Sequence, residues 1–375
     1  MSAIPDPIVS SGNEAVQRGG RIVLAQFADY DRATGGFVYN SRIGVELRAL
    51  GWAVEQLDLP PGFPQPTPEA VDRIAAAIAE LPDATPVLID QVCLSRILAV
   101  AEREGDRIAW IDIFHHPMVH DLPPGDPARD AIDGSERAAL AVSRLVLATS
   151  LSTAATLVRD YGVASARIAT APPGFPRLRA MPRAKSATGP VRLLSVGAMV
   201  PRKDYPLLLE ALALVPSIDW HLDIVGNTDR DPAHAAEIHN AIDQLRLRER
   251  VAIRGRLSDE DLEALWAEAD LYAAASRHEG FGMAIAEALG RGVPVVTTEA
   301  GAVADWLSGE CAIIVPAGDR AALASALATA LSDSSRRRDM SAAALEQAAR
   351  LPTWSDTAEA VSKALAGLTR LSGRV

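Results

Sequence analysis

Short runs of β-branched and other apolar residues recur along the chain, and stretches with helical spacing separate them. The first half carries "RIVLAQF", "AVEQLDL", "PVLID", "RIAWIDIF", "LVLATS" and "IATAPP"; the second carries "VRLLSVG", "HLDIVG", "VAIRG", "LYAAAS", "PVVTT" and "AIIVP". Continuous apolar strands alternating with helices such as "DYPLLLEALALVP" and "SDEDLEALWAEAD" are what a parallel sheet covered on both faces requires. Each half therefore reads as a doubly wound, Rossmann-like α/β domain. Between them, "FPRLRAMPRAKSATGP" holds neither period and is rich in Pro and basic residues, which marks a linker. The expected order is a mobile leader over 1–20, a first domain over 21–175, a linker over 176–190 and a second domain over 191–352. A helix over 353–375 follows and is a candidate to pack back on the first domain. Open α/β sheets bind ligands beyond the carboxyl ends of their strands, so the expected site is a cleft between the two domains.

A length of 375 residues fits two such domains. The formal net charge of -11 argues against a general nucleic-acid binder, which would carry a basic footprint. Cys93 and Cys311 are the only cysteines, and their separation indicates neither a disulfide framework nor a thiolate zinc site, as expected of reducing cytoplasm. The first twenty residues lack the apolar core of a signal peptide, and no run approaches the ~20 apolar residues of a membrane span. Peripheral membrane contact stays open but is not indicated.

The chemistry concentrates in the second half. Arg202 and Lys203 lie in a strand-to-helix loop, where two cations beside a helix N-terminus suit an anion; as isolated residues they also read as solvated charges. In "SRHEGFGMAIAEALGRGVPVVTT" (276–298), Gly280 and Gly282 let backbone N–H groups approach a diphosphate at the start of a helix. Two acids flank this cradle. Glu279 would repel phosphate and suits sugar hydroxyls. Glu287 sits in the middle of a largely apolar helix; it either accepts both hydroxyls of a ribose or pairs internally with its i+4 neighbour Arg291.

The E-x7-E spacing of "EGFGMAIAE", with "GRGVPVVTT", "GAVADWL", "IIVPAGDRAALASAL" and the upstream "VGAMVPRKDYPLLLEAL", resembles family 4 glycosyltransferases, retaining enzymes of the GT-B fold. The resemblance covers nearly all of the second domain. It implies a donor nucleotide diphosphate sugar as substrate, no metal and no cofactor. Glu279 would hold the donor sugar, Gly280, Phe281 and Gly282 would line it, Glu287 would bind the ribose, and Lys203 would bind phosphate. Gly197 closes the preceding strand. Many family members carry arginine directly after that glycine, where this chain has Ala198; Arg202 is the candidate to replace the charge.

In the first domain, "TGGFVYNSRIGVELRALGWAVEQLDL" looks like the family's acceptor-side glycine loop, with Gly35 and Gly36 opening a helix. "WIDIFHHPMVHDLPP" ends a strand at His115 and His116. The family has a histidine there, near the reacting sugar; both residues fit, with His116 preferred. A histidine can donate to a hydroxyl or move a proton near neutral pH. Zinc held by Asp112, His116 and His120 is a weaker reading, because Pro117 breaks the helical spacing and no thiolate completes the set. Ser150 and Gly174 fall on loops expected to face the cleft. The "DYD" at Asp29–Asp31 matches a metal-binding triplet only formally.

These features imply a hexosyltransferase moving sugar to the hydroxyl of a saccharide or small-molecule acceptor. A glycoside hydrolase also uses two carboxylates, about 5 to 9.5 Å apart; a wholly helical E-x7-E would hold them roughly 12 Å apart. No G-x-G-x-x-G follows a strand, against a nicotinamide dehydrogenase. A non-catalytic GT-B-like subunit and a sugar nucleotide epimerase are the remaining alternatives.

Overall fold

The computed structural model describes residues 20–27, 34–60, 65–123, 125–177 and 189–372. Residues 1–19 of the expected leader, the Asp29–Asp31 triplet and 178–188 of the linker lie outside them.

The described chain forms two compact units. The first comprises the residues up to Val119, Gly125–Gly174 and the segment from Pro352; the second comprises His120–Pro124 and Phe175–Leu351. The first unit holds β1 (Arg21–Phe27), β2 (Ala53–Leu59), β3 (Pro86–Asp90), β4 (Ala109–Phe114), β5 (Leu145–Ala148) and β6 (Ile168–Thr170). They form one parallel sheet in the order β2-β1-β3-β4-β5-β6. Alternate residues fill the two faces: Val23, Val87, Ile89 and Trp110 on one, Ile22, Leu24, Leu88, Ile111 and Ile113 on the other. This explains why the strands read as unbroken apolar runs. The edge strand β2 is the exception and keeps exposed Glu55 and Gln56.

The C-terminal helix Trp354–Ser372 belongs to the first unit. Ala358, Val361 and Leu365 join the core that contains Ile22 and Leu24. Trp52 donates from Nε1 to Ser362 Oγ at 2.8 Å, and Thr357 Oγ1 donates to the Pro172 carbonyl at 2.8 Å. No helix among the described residues is long and apolar enough to cross a membrane.

The second unit holds β7 (Val191–Val196), β8 (Trp220–Val225), β9 (Val251–Gly255), β10 (Leu271–Ala273), β11 (Val295–Thr298) and β12 (Ala312–Val315). Its parallel sheet runs β12-β11-β10-β7-β8-β9. Among the described residues, eleven of the twelve strands fall within the apolar runs, and β8 begins one residue ahead of its run, at Trp220. β10 stops at Ala273, short of the run "LYAAAS", because the next residues turn into the loop described below.

Each order contains one reversal. After β1 the first sheet grows to β2 on one side and β3 on the other; after β7 the second grows to β8 on one side and β10 on the other. Such switch points open a crevice at the carboxyl edge, since the two following loops diverge. In the second sheet they are the loops after β7 and β10.

The floor of that crevice is tight. A Cβ on Gly226, just after β8, would lie 1.8 Å from the Gly197 carbonyl oxygen. Gly226→Ala must therefore push the two loops apart, at a cost of about 1–3 kcal/mol. Thermal unfolding should show a lowered Tm for Gly226→Ala and an unchanged one for Gly309→Ala, where an added methyl would meet nothing within 4 Å.

Candidate functional site

The loop after β7 is anchored by buried Met199 and Val200, and Met199 N–H donates to the Asn227 carbonyl at 3.0 Å. A single helical turn, Pro201–Lys203, presents both cations before Asp204 bends the chain at φ 46° into helix Tyr205–Ala213. Gly197 makes room for the Lys203 side chain; a Cβ there would lie 2.9 Å from Lys203 Cε. Tyr205 Oη donates to the Gly197 carbonyl at 2.9 Å and fixes the strand end.

The loop after β10 meets the first loop directly, with Arg277 N–H donating to the Arg202 carbonyl at 2.7 Å. Buried Glu279 is the focus. Its Oε1 accepts from Lys203 Nζ and from Ser276 Oγ, each at 2.6 Å, and its Oε2 accepts from an Arg202 guanidinium nitrogen at 3.3 Å. Burial alone would raise its pKa, but the Lys203 and Arg202 charges win and hold it at about 2. Burial in turn pulls Lys203 below the ordinary lysine range despite Glu279. Asp121 extends the cluster, accepting from Arg202 Nε at 2.7 Å and from Arg230 at 2.9 Å. Three cations thus surround two carboxylates, an excess that favours an added anion.

Glu279 leads into helix Met283–Gly290 through Gly282, whose φ of 94° favours glycine. The Gly282 side chain position is also crowded: a Cβ would lie 3.2 Å from Val303 Cγ2. No side chain caps this helix start. Gly280 is partly exposed beside it. The Phe281 side chain is buried in a stack with Trp306 and Phe175, at ring-centroid distances of 5.1 and 5.7 Å. Of the expected lining residues, Phe281 therefore offers only its backbone.

Arg291, the internal partner expected of the Glu287 carboxylate, goes elsewhere. Arg291 donates to the Glu287 backbone carbonyl at 3.0 Å and commits the rest of its guanidinium to Glu263, with Nε at 3.1 Å. The Glu287 carboxylate has no hydrogen bond or ion pair among the described residues. Burial raises its pKa; Arg291 opposes the shift, and Glu263 and Asp259 add to it. An unpaired, half-buried carboxylate gains from a ligand that satisfies it.

In the first unit, Thr34 caps helix Gly35–Ala49 by accepting from Phe37 N–H, and Gly35 is exposed at its start. Gly36 lies under the His115 ring; a Cβ would meet its Nε2 at 3.0 Å. The same nitrogen lies 3.2 Å from Asp90 Oδ2. His116, the preferred histidine of the pair, is held through its carbonyl, which accepts from Gln91 Nε2 at 2.6 Å. Ser150 is buried and caps helix Leu151–Arg159, while Gly174 abuts the Trp354 backbone, so local structure accounts for both. Asp112 is buried within the sheet and the His120 ring stacks on His278 at 4.0 Å. No group of three His, Cys, Asp or Glu side chains suited to a metal occurs among the described residues.

Sequence reading missed Ser276, Asp121, Arg230, Asp90 and Gln91. Asp90 ends an apolar strand as His115 nearly does, and Arg230 follows the strand "HLDIVG", so the strand-end rule could have found both. Ser276 and Asp121 carry no such signal.

The family described as glycosyl transferases group 1 matches residues 178–347. A mannosylfructose-phosphate synthase of Agrobacterium fabrum is 28% identical over 169 residues, 41% of this chain and 37% of that protein. An MMP alpha-(1->4)-mannosyltransferase of Mycolicibacterium hassiacum is 27% identical over 314 residues, 79% of this chain and 74% of that protein. Among solved structures, sucrose-phosphate synthase from Thermosynechococcus elongatus superposes with a TM-score of 0.79 at 21% identity, covering 94% of this chain and all of that one (100%). Anabaena HepE in complex with UDP-glucose gives 0.73 at 19% identity, covering 92% and 99%. These structural likenesses establish the GT-B fold. The chain thus carries, within that fold, a domain over residues 178–347 that matches the glycosyl transferases of group 1.

Proposed function

We propose that the protein is a retaining glycosyltransferase that moves a sugar from a nucleotide diphosphate sugar to a hydroxyl of a saccharide or small-molecule acceptor. The observation that carries this reading is the convergence of Lys203, Arg202 and Glu279 at the switch point of the second sheet. The group 1 match over residues 178–347 supports the reaction class, and HepE with bound UDP-glucose is a protein of the same fold with such a donor.

Lys203 and Arg202 bind the diphosphate, with the uncapped start of helix Met283–Gly290 adding its positive end. Glu279 accepts hydrogen bonds from donor-sugar hydroxyls, and Glu287 takes the ribose hydroxyls. As the bond from the anomeric carbon to the diphosphate oxygen breaks, its electron pair leaves with the diphosphate. Fixed cations stabilise that growing charge without reorganising. The acceptor oxygen attacks from the same face, and its proton passes to the departing phosphate oxygen. His115 of the first unit contacts a sugar hydroxyl; Gly35 and Gly36 form the acceptor-side turn. His115 is preferred over His116 because its ring rests on that turn.

A thermal-shift panel of UDP, GDP, ADP and their sugars tests the donor site, since a ligand that binds only the folded state raises Tm. One nucleotide series should stabilise the wild type. Glu287→Ala should weaken its binding about 10- to 100-fold, the loss of charge-assisted hydrogen bonds worth ~1.5–3 kcal/mol. Lys203→Ala should lower kcat for nucleoside diphosphate release by about 10²–10³. Stabilisation undiminished in Glu287→Ala would remove the ribose role; tight donor binding without sugar transfer to any acceptor would favour a non-catalytic binding protein.

The ion cluster also sets acid stability. The folded pKa of Glu279, about 2, lies below its ordinary value of 4.5. Its stabilisation is therefore complete above the ordinary value and is lost as pH falls toward the folded one. The Tm difference between wild type and Glu279→Gln should stay constant above pH 4.5 and shrink as pH falls from there toward about 2; a difference constant over that range would mean that Glu279 is not held by charge.

A further inference from the structure

The His115 ring and its backbone are held by side chains to which the transfer reaction as described assigns no part. Asp90, at the end of β3, is 7% exposed. Its Oδ1 accepts from Val92 N–H at 2.9 Å and its Oδ2 from Asn40 Nδ2 at 3.1 Å, and Oδ2 lies 3.2 Å from His115 Nε2. Burial pushes this carboxyl up, but His115, Val92 and Asn40 outweigh it and keep it below the ordinary carboxylate range. Tyr39 packs edge-on against the imidazole at 5.4 Å and is itself fixed by donating to the Ala171 carbonyl at 2.7 Å.

The backbone is clamped as firmly. Gln91 Oε1 accepts from His115 N–H at 2.6 Å, while Gln91 Nε2 donates to the His116 carbonyl and to Glu136 Oε1 at 2.6 and 2.7 Å. Glu136 Oε1 also accepts from Met118 N–H at 2.9 Å, and Thr149 Oγ1 donates to the His115 carbonyl at 3.1 Å. Adjacent residues thus act on different parts of one histidine, Asp90 on the ring and Gln91 on the chain. Nε2 is the buried nitrogen; it lies 3.2 Å from Asp90 Oδ2 as an ion-pair contact, outside hydrogen-bond geometry. Nδ1 has no partner among the described residues.

We propose that Asp90 is a positioning residue of the transfer reaction, fixing the His115 ring so that Nδ1 is the nitrogen offered to a sugar hydroxyl. A carboxylate 3.2 Å from Nε2 favours the tautomer that carries the proton there, because the negative charge stabilises an N–H dipole pointing at it and disfavours a lone pair. In that tautomer His115 presents an Nδ1 lone pair, an acceptor for a hydroxyl hydrogen. The inference rests on the glycosyltransferase reading, but its first test needs no substrate.

Ring nitrogen-15 NMR on the full chain, with His115→Asn to assign one of the seven histidines, reads the tautomer directly. The wild type should show neutral His115 protonated at Nε2, and Asp90→Asn should shift it toward the Nδ1–H form. In the transfer assay Asp90→Asn should lower kcat about tenfold, the scale of one lost hydrogen bond, with the donor KM little changed. A purely structural role would lower Tm without moving the tautomer. A wild-type ring protonated at Nδ1 overturns the proposal, and this measurement stands even if Asp90→Asn fails to fold. An unchanged kcat in a folded Asp90→Asn with an altered tautomer overturns it too. If the wild type shows the Nε2–H ring and transfers sugar from no donor, the transferase reading fails and takes the proposed role with it.

Discussion

The second unit is organised around a buried ionic contact, the Glu279 carboxylate gripped by Lys203 and Arg202. Each of these groups alone would be expensive to remove from water, and only the set makes their burial tolerable. The contact can form only if the loops after β7 and β10 are neighbours, which requires those strands to pair. The strand order of the sheet and the charge pattern of the site are therefore one constraint. Gly197 and Gly226 serve it from below by letting backbone and the Lys203 stem approach where any side chain would collide.

The two glutamates of the E-x7-E motif are the same residue in opposite surroundings. Glu279 is buried among cations and is held strongly acidic; Glu287 is half-buried without a partner for its carboxylate, and its acidity is weakened. A carboxylate in the first state already has its charge balanced by cations. One in the second gains from any ligand that brings hydroxyl donors. The difference arises because Arg291, one turn away from Glu287, turns its guanidinium to Glu263 and to a carbonyl.

The first unit separates roles in a similar way. Asp90 and Gln91 follow one another at a strand end, yet one fixes an imidazole and the other fixes the chain that carries it. Around Phe281 the separation falls between side chain and backbone. Its ring completes an aromatic stack, so the flanking Gly280 and Gly282 leave the backbone as the surface available to a ligand.

The sequence by itself determined the twelve strands, the two parallel sheets and the helix that follows Gly282. Strands buried on both faces must be apolar throughout, and that pattern is local. It also marked Lys203, Arg202, Glu279 and Glu287, because cations and acids beside glycines at strand ends are conspicuous. Only the tertiary structure decided which of these groups meet. Lys203 and Glu279 are 76 residues apart and touch because β7 pairs with β10, while Arg291 leaves its i+4 neighbour for Glu263, 28 residues away. The presence of Asp90 beside His115 likewise follows from strand β3 lying next to β4. Periodicity is a property of a segment, but the partner of a charge depends on where the sheet reverses, and no segment carries that information alone.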